Sequence, residues 1–293
     1  MEMESIQMVQ EREIMFKDSG YANFLIHDII LPCLVYIMGI IFLIVVSILK
    51  LSPWNVIEIF NNGKYDLLVL EAKFPNTFVI VCEVLLVMLI CYLTVRKINK
   101  NNEFHRNGTG YLKWPFWILT LVGRLLGYDS INTVNIPIWL QFKIYKSSWW
   151  QTRSLDQINI ETIEDRVTIE FKEAKNSSDV VNVILVDTYP ILGKIPETIL
   201  TRNDTLIVKR ELTSPGNRTF NKHFVGKSIA EINKLYKLPY KSMNIFLSTN
   251  PFHTKRIVKG VFRMNGRERH MGVTVFQSIG ESHIYCEPHQ IIK

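Results

Sequence analysis

Cysteine is scarce in this chain of 293 residues, which holds four. Cys33, Cys82 and Cys91 fall in long apolar runs and Cys286 stands alone near the end, so the polar part cannot close an internal disulfide. That suits a reducing compartment. Signatures of catalysis are missing too. There is no Gly-x-Ser-x-Gly turn for a nucleophilic serine and no His-Glu-x-x-His pair for zinc. Gly226-Lys227-Ser228 has the ending of a phosphate-binding loop, yet the position of that motif's first glycine holds Asn221. His283, Cys286 and His289 have the spacing of metal ligands, but they sit in what reads as a tail loop with chance residues. Nothing orients Cys286 as a nucleophile. The sequence therefore predicts a non-enzymatic protein with no catalytic residue, no metal and no cofactor.

Charge is absent where it matters most. Residues 29–49 carry no charged side chain, and residues 76–95 carry one, Glu83. At about 1.5 Å per residue, each run reaches roughly 30 Å, the thickness of a bilayer's hydrocarbon core. The first run begins too late, is too long and lacks the small-residue cleavage site of a signal peptide, so it reads as an uncleaved anchor. The expected fold is a membrane-anchored α+β protein: a two-helix transmembrane hairpin followed by a strand-dominated cytoplasmic domain. Residues 1–25 form an N-terminal cytoplasmic segment, 26–98 the hairpin, 99–130 a linker with an interfacial amphipathic segment, and 131–293 the β-rich domain.

Orientation follows from the basic residues. Arg96, Lys97, Lys100, Arg106 and Lys113 cluster after the second run, whereas Lys64 and Lys73 in the intervening loop are diluted by Glu58, Asp66 and Glu71. Short basic segments resist translocation, which puts both termini on the cytoplasmic side of the cell membrane. A carboxylate as deep as Glu83 costs several kcal/mol unless it is neutral or partnered. It is read as an intramembrane polar contact, either holding copies together or bonded to Tyr36 or to backbone.

Beyond the hairpin the pattern turns to alternation. Val134, Ile136, Ile138, Leu140, Phe142 and Ile144 occupy every second position, which predicts a strand, with Pro137 placing it at a sheet edge. Residues 158–171, 180–186, 205–212 and 244–248 read as further strands, the second of them central. Ser228 with Glu231 forms a capping box for a helix that Pro239 ends. Asn265-Gly266 suits a two-residue turn, predicting a hairpin over 256–277. One of its faces buries Val258, Phe262, Met264, Met271, Val273 and Val275, and the other leaves Lys259, Arg263 and His270 in water.

The domain's charge is lopsided. Residues 113–199 hold 9 Lys or Arg against 10 Asp or Glu, and residues 200–270 hold 15 against 4. Such a basic half attracts polyanions, and Lys255, Arg256, Lys259, Arg263, Arg267, Arg269 and His270 are the candidate binding residues. The expected partners are membrane lipids, other membrane-assembly proteins or further copies of the chain, and nucleic acid. The first functional reading is a membrane-anchored component of a multi-protein assembly such as conjugative DNA-transfer or secretion machinery. The alternative is a nucleotide-sensing, membrane-disrupting defence effector. A membrane-tethered enzyme is third.

Overall fold

Pro32 shapes the start of the first helix, α1, which runs over Ala22–Ile48 in the computed structural model. Proline offers no N–H, and its ring crowds the carbonyl four residues back. The turns just before it, Leu25–Ile30, open into a π-helix. The structure describes residues 22–49, 76–106, 111–153, 165–175, 178–211, 219–263, 271–279 and 284–293. The expectations for residues 1–21 and for the loop at 50–75 lie outside these. Two compact units emerge, one of Met1–Gly110 with Trp117–Ile131 and one of Tyr111–Phe116 with Asn132–Lys293.

In the first unit α1 pairs with α2, Asn76–Asn99. Gly39 permits the close approach, and Cys91 Sγ lies 3.6 Å from the carbonyl of Val35. The rest of both helices is apolar and outward-facing: Ile37, Ile41 and Ile44 on α1, and Leu85, Leu89 and Leu93 on α2, are each about half exposed. A continuous apolar surface of this kind belongs in lipid. Among the described helices α1 alone has both the length and the composition to cross a membrane. The second helix shares its surface but carries Glu83 within it and Arg96 and Lys97 in its last turn. α3, Phe116–Leu125, takes up the middle of the segment expected to be interfacial. It buries Leu119 and Gly123 and leaves Trp117, Leu121 and Leu125 exposed. After it Gly127, at φ +73°, is required, because a Cβ there would lie 2.6 Å from Arg96 Cα.

The second unit is a six-stranded mixed sheet in the order β1-β3-β2-β4-β5-β6. The strands are β1 Val167–Lys172, β2 Val180–Val186, β3 Asp204–Arg210, β4 Ser242–Leu247, β5 Gly272–Ile279 and β6 Ile284–Ile292. The inner four run parallel and the two edges antiparallel. Parallel neighbours need crossovers. These contain α5 (Glu197–Arg202), α6 (Lys222–Leu235) and α7 (Pro251–Phe262), while α4, Ile138–Lys146, precedes the sheet. Strand β2 is central and almost wholly buried, as its nearly unbroken apolar run, interrupted by Asn182, predicts.

Six sequence expectations give way. Residues 138–146 are helical rather than extended. Trp139, Leu140, Gln141, Phe142, Ile144 and Tyr145 are all buried, and a helix covered on nearly every side loses the period that would mark it. Pro137 starts that helix instead of marking a sheet edge. The hairpin over 256–277 is instead a helix followed by β5. Asn250 caps α7 by accepting the His253 amide at 2.8 Å, and Pro251 takes the first helical position. Asn265-Gly266 lies outside the described residues. The helix expected from Ser228 begins earlier, at Lys222, where Asn221 accepts the Phe224 amide at 2.7 Å; Ser228 is buried in its middle. The stretch read as a tail loop forms β6, with His289 stacked on Trp139 at 4.5 Å. With its parallel centre, the domain is of alternating α/β type rather than strand-dominated α+β.

Candidate functional site

β2 and β4 are neighbours whose connections leave in opposite directions, to β3 and to β5. Open α/β sheets bind ligands at the carboxyl ends of such strands. Here those ends are filled by the chain's own polar groups. Asp187, just past β2, is fully buried. Its Oδ1 accepts from Arg210 Nη1 at 3.1 Å, and its Oδ2 accepts the Asn250 amide at 3.2 Å and lies 2.6 Å from His253 Nδ1. Arg210 also has Nε and Nη2 at 2.6 Å from Asp165 Oδ2, Nη1 on the Thr219 carbonyl and Nη2 on the Thr219 hydroxyl. All five guanidinium donors are used. His253 Nε2 accepts the Asn221 amide at 2.9 Å, so it carries no proton, and the imidazole is the neutral tautomer that donates from Nδ1 to Asp187. With Nε2 occupied by backbone, His253 offers no base to a substrate. The network ties the ends of β2 and β3 to the start of α7.

The residues expected to bind a polyanion separate into three groups. Arg256, Lys259 and Arg263 lie along one outer face of α7 and just past its end; the first two are exposed and Arg263 half-buried, with Arg256 5.1 Å over the Phe252 ring. Lys255 is corrected: it is 2 % exposed and donates to the Thr152 carbonyl at 3.2 Å, because the next helical position turns inward. Arg267, Arg269 and His270 lie outside the described residues. In the first unit Glu83 falls on the four-residue stripe 83, 87, 91, 95, the shielded side of α2. Tyr36, considered as its partner, instead donates to the Leu125 carbonyl at 2.7 Å.

The opposite face of the sheet is where a ligand fits. Asn182 of β2 projects toward α5, donating to the Ile199 carbonyl at 2.9 Å and to Thr205 Oγ1 at 3.2 Å. Its Oδ1 accepts from Asn244 at 3.1 Å and from Asn203 at 3.4 Å. Asn182 is thereby spent on holding its neighbours. Beside it opens a cavity of about 430 Å³ lined by Thr198, Ile199, Arg202, Asn203, Asn244 and Phe276. Asn244 Oδ1 has no partner among the described residues, and exposed Arg202 makes no ion pair among them. Phe276 is held flat against Phe246, ring centres 4.7 Å apart. An amide with a spare acceptor, an aromatic wall and a rim cation suit a planar heterocycle carrying phosphate. Sequence reasoning singled out none of these residues. They come from separate elements, and only the parallel register of β2 with β4 sets Asn182 beside Asn244.

Residues 9–292 match SUa-2TM, the SMODS- and Ubiquitin system-associated 2TM effector domain. The chain belongs to this family. No curated protein matches it. Membership in SUa-2TM makes the chain a membrane-associated effector domain, with α1 its evident span and a mixed-sheet unit behind. It favours the defence-effector reading of the sequence. Nothing in an SUa-2TM match supports conjugation, secretion or nucleic-acid binding.

Proposed function

We propose that this SUa-2TM chain is a membrane-disrupting defence effector whose soluble unit binds a small nucleotide and whose apolar helices then cluster in the membrane. The observation that carries the sensing step is the cavity at Asn244, Phe276 and Arg202, which joins a spare amide acceptor, an aromatic wall and a cation without an ion pair among the described residues. The family name supports the effector step, and the exposed apolar surfaces of α1 and α2 support its target. In this reading both helices span, as the family's name has it, and both termini face the cytoplasm, where Arg96, Lys97 and Lys100 hold them.

The test uses the full-length protein in dye-loaded vesicles and a panel of cyclic and linear mono- and dinucleotides. One nucleotide binds saturably and triggers leakage, and Arg202→Glu and Asn244→Ala each lose both responses while keeping the melting temperature. Leakage without any ligand, or binding that survives both substitutions, overturns the reading.

A further inference from the structure

The first unit holds a cavity of about 480 Å³ at the end where α1 begins and α2 finishes. That volume lies within the range of small-ligand sites, about 300–1,000 Å³. Its lining changes character along its length. Leu31, Val35, Val95 and Ile98 form an apolar half on the paired helices; Asp28, Arg106 and Tyr128 belong to a polar half.

The polar half is built rather than incidental. Asp28 sits in the π-helical turns before Pro32 and is 6 % exposed. His105 adopts φ +59°, which turns its own amide and that of Arg106 toward the same carboxylate, the second at 3.1 Å from Oδ2. Successive amides arranged in this way cradle an anion. Tyr128 is 2 % exposed, and its hydroxyl has no hydrogen-bond partner among the described residues. Tyr128 lines the cavity, so this hydroxyl can take its hydrogen bond from a ligand there. Burial first, and then the nearby Asp28 charge, push the Tyr128 phenol up, which keeps it neutral.

We infer that this cavity binds the headgroup of a phospholipid bearing a primary ammonium, of the phosphatidylethanolamine type. The ammonium's donors meet the Asp28 carboxylate and the Tyr128 oxygen, the phosphodiester meets the exposed Arg106 guanidinium, and the first acyl carbons lie along Leu31, Val35 and Val95. A carboxylate and a guanidinium in the same polar half match a zwitterion. A quaternary ammonium has no N–H to give, so it makes no hydrogen bond to either oxygen. An anionic headgroup without an amine brings no cation to Asp28.

The experiment takes full-length protein in detergent, stripped of lipid. It is offered equal amounts of phosphatidylethanolamine, phosphatidylcholine and phosphatidylglycerol of the same acyl composition, and retained lipid is read by native mass spectrometry. The ethanolamine lipid is retained about tenfold over the choline lipid, as expected for the loss of charge-assisted hydrogen bonds. Tyr128→Phe keeps the ring contact with Phe104 and brings that ratio near one. Arg106→Ala weakens retention of all three lipids. Asp28→Asn abolishes the preference, and the melting temperature reports whether that variant still folds. Equal retention of ethanolamine and choline lipids by the wild type, a preference for phosphatidylglycerol, or an unchanged ratio in Tyr128→Phe overturns the inference.

Discussion

A methyl group on Gly39 would stand 2.5 Å from Cys91 Sγ. No side chain makes so short a contact without something moving, and both residues lie in the α1–α2 seam. Gly39→Ala is therefore expected to lower the melting temperature in detergent, by an overpacking cost of about 1–3 kcal/mol. Removing the sulfur relieves the clash: Cys91→Ala in the Gly39→Ala background restores most of the loss. Additive losses in the double variant would mean the helices do not meet at this pair.

Arg210 bridges two buried carboxylates, Asp165 and Asp187. Taking one partner from a buried ion network strands the others, at a cost of about 3–5 kcal/mol. Arg210→Met should unfold at markedly lower denaturant than wild type, measured by near-ultraviolet circular dichroism. A surface substitution such as Arg166→Met, on an exposed pair 4.0 Å apart, should change little. Similar midpoints for the two variants would contradict this account of the strand-end lock.

Burial lowers the pKa of His289 below the ordinary histidine value; Glu287 opposes the shift, and Lys113 adds to it. The unfolded chain then binds the proton more readily than the fold does. Its contribution to stability is present above the unfolded value of about 6.5 and is lost as pH falls through the lower folded value. Acid titration of the melting temperature should show a decline beginning near that point. His289→Phe, which keeps the stack on Trp139, should flatten that segment of the curve.

Glu83 has no hydrogen bond or ion pair within the described residues, although it lies on the shielded stripe of α2. A partner from another copy is the expected answer to its cost in the membrane. Cross-linking in vesicles should give less oligomer for Glu83→Leu than for wild type, and Glu83→Gln should fall close to wild type because the amide still hydrogen-bonds. Unchanged oligomer in Glu83→Leu would dismiss the contact.

The outer face of α7 remains a candidate polyanion surface. Lys259→Glu combined with Arg263→Glu should weaken binding to DNA or to anionic vesicles and flatten its dependence on salt, since each neutralised phosphate releases counterion. The same double variant should leave nucleotide binding at Asn244 intact. Equal affinity and salt slope in both proteins would remove α7 from any such surface.

How much of this was legible in the chain depends on how local the cause is. The apolar run of β2 and the charge-free stretch 29–49 that carries most of α1 announce themselves, because burial on all sides or in lipid acts on contiguous residues. The Asn250-Pro251 pair also states a helix start, a local signal that the hairpin reading of 256–277 left out. α4 hid because six of its nine residues are buried and no wet face marks a period. The cavity residues were beyond reach. Arg202, Asn244 and Phe276 meet through strand pairing across long stretches of chain, and nothing near each of them in sequence hints at the others.

The bond from Tyr36 to the Leu125 carbonyl fixes a depth. Tyr36 lies eight residues beyond Asp28, about 12 Å along the helix axis, and it ties the last turn of α3 to that level. If α1 and α2 cross the membrane as proposed, a helix of ten residues with Trp117, Leu121 and Leu125 outward sits in a single leaflet. Each copy then adds more cross-sectional area to one side of the bilayer than to the other, and the proposed gathering of copies compounds that difference into curvature stress.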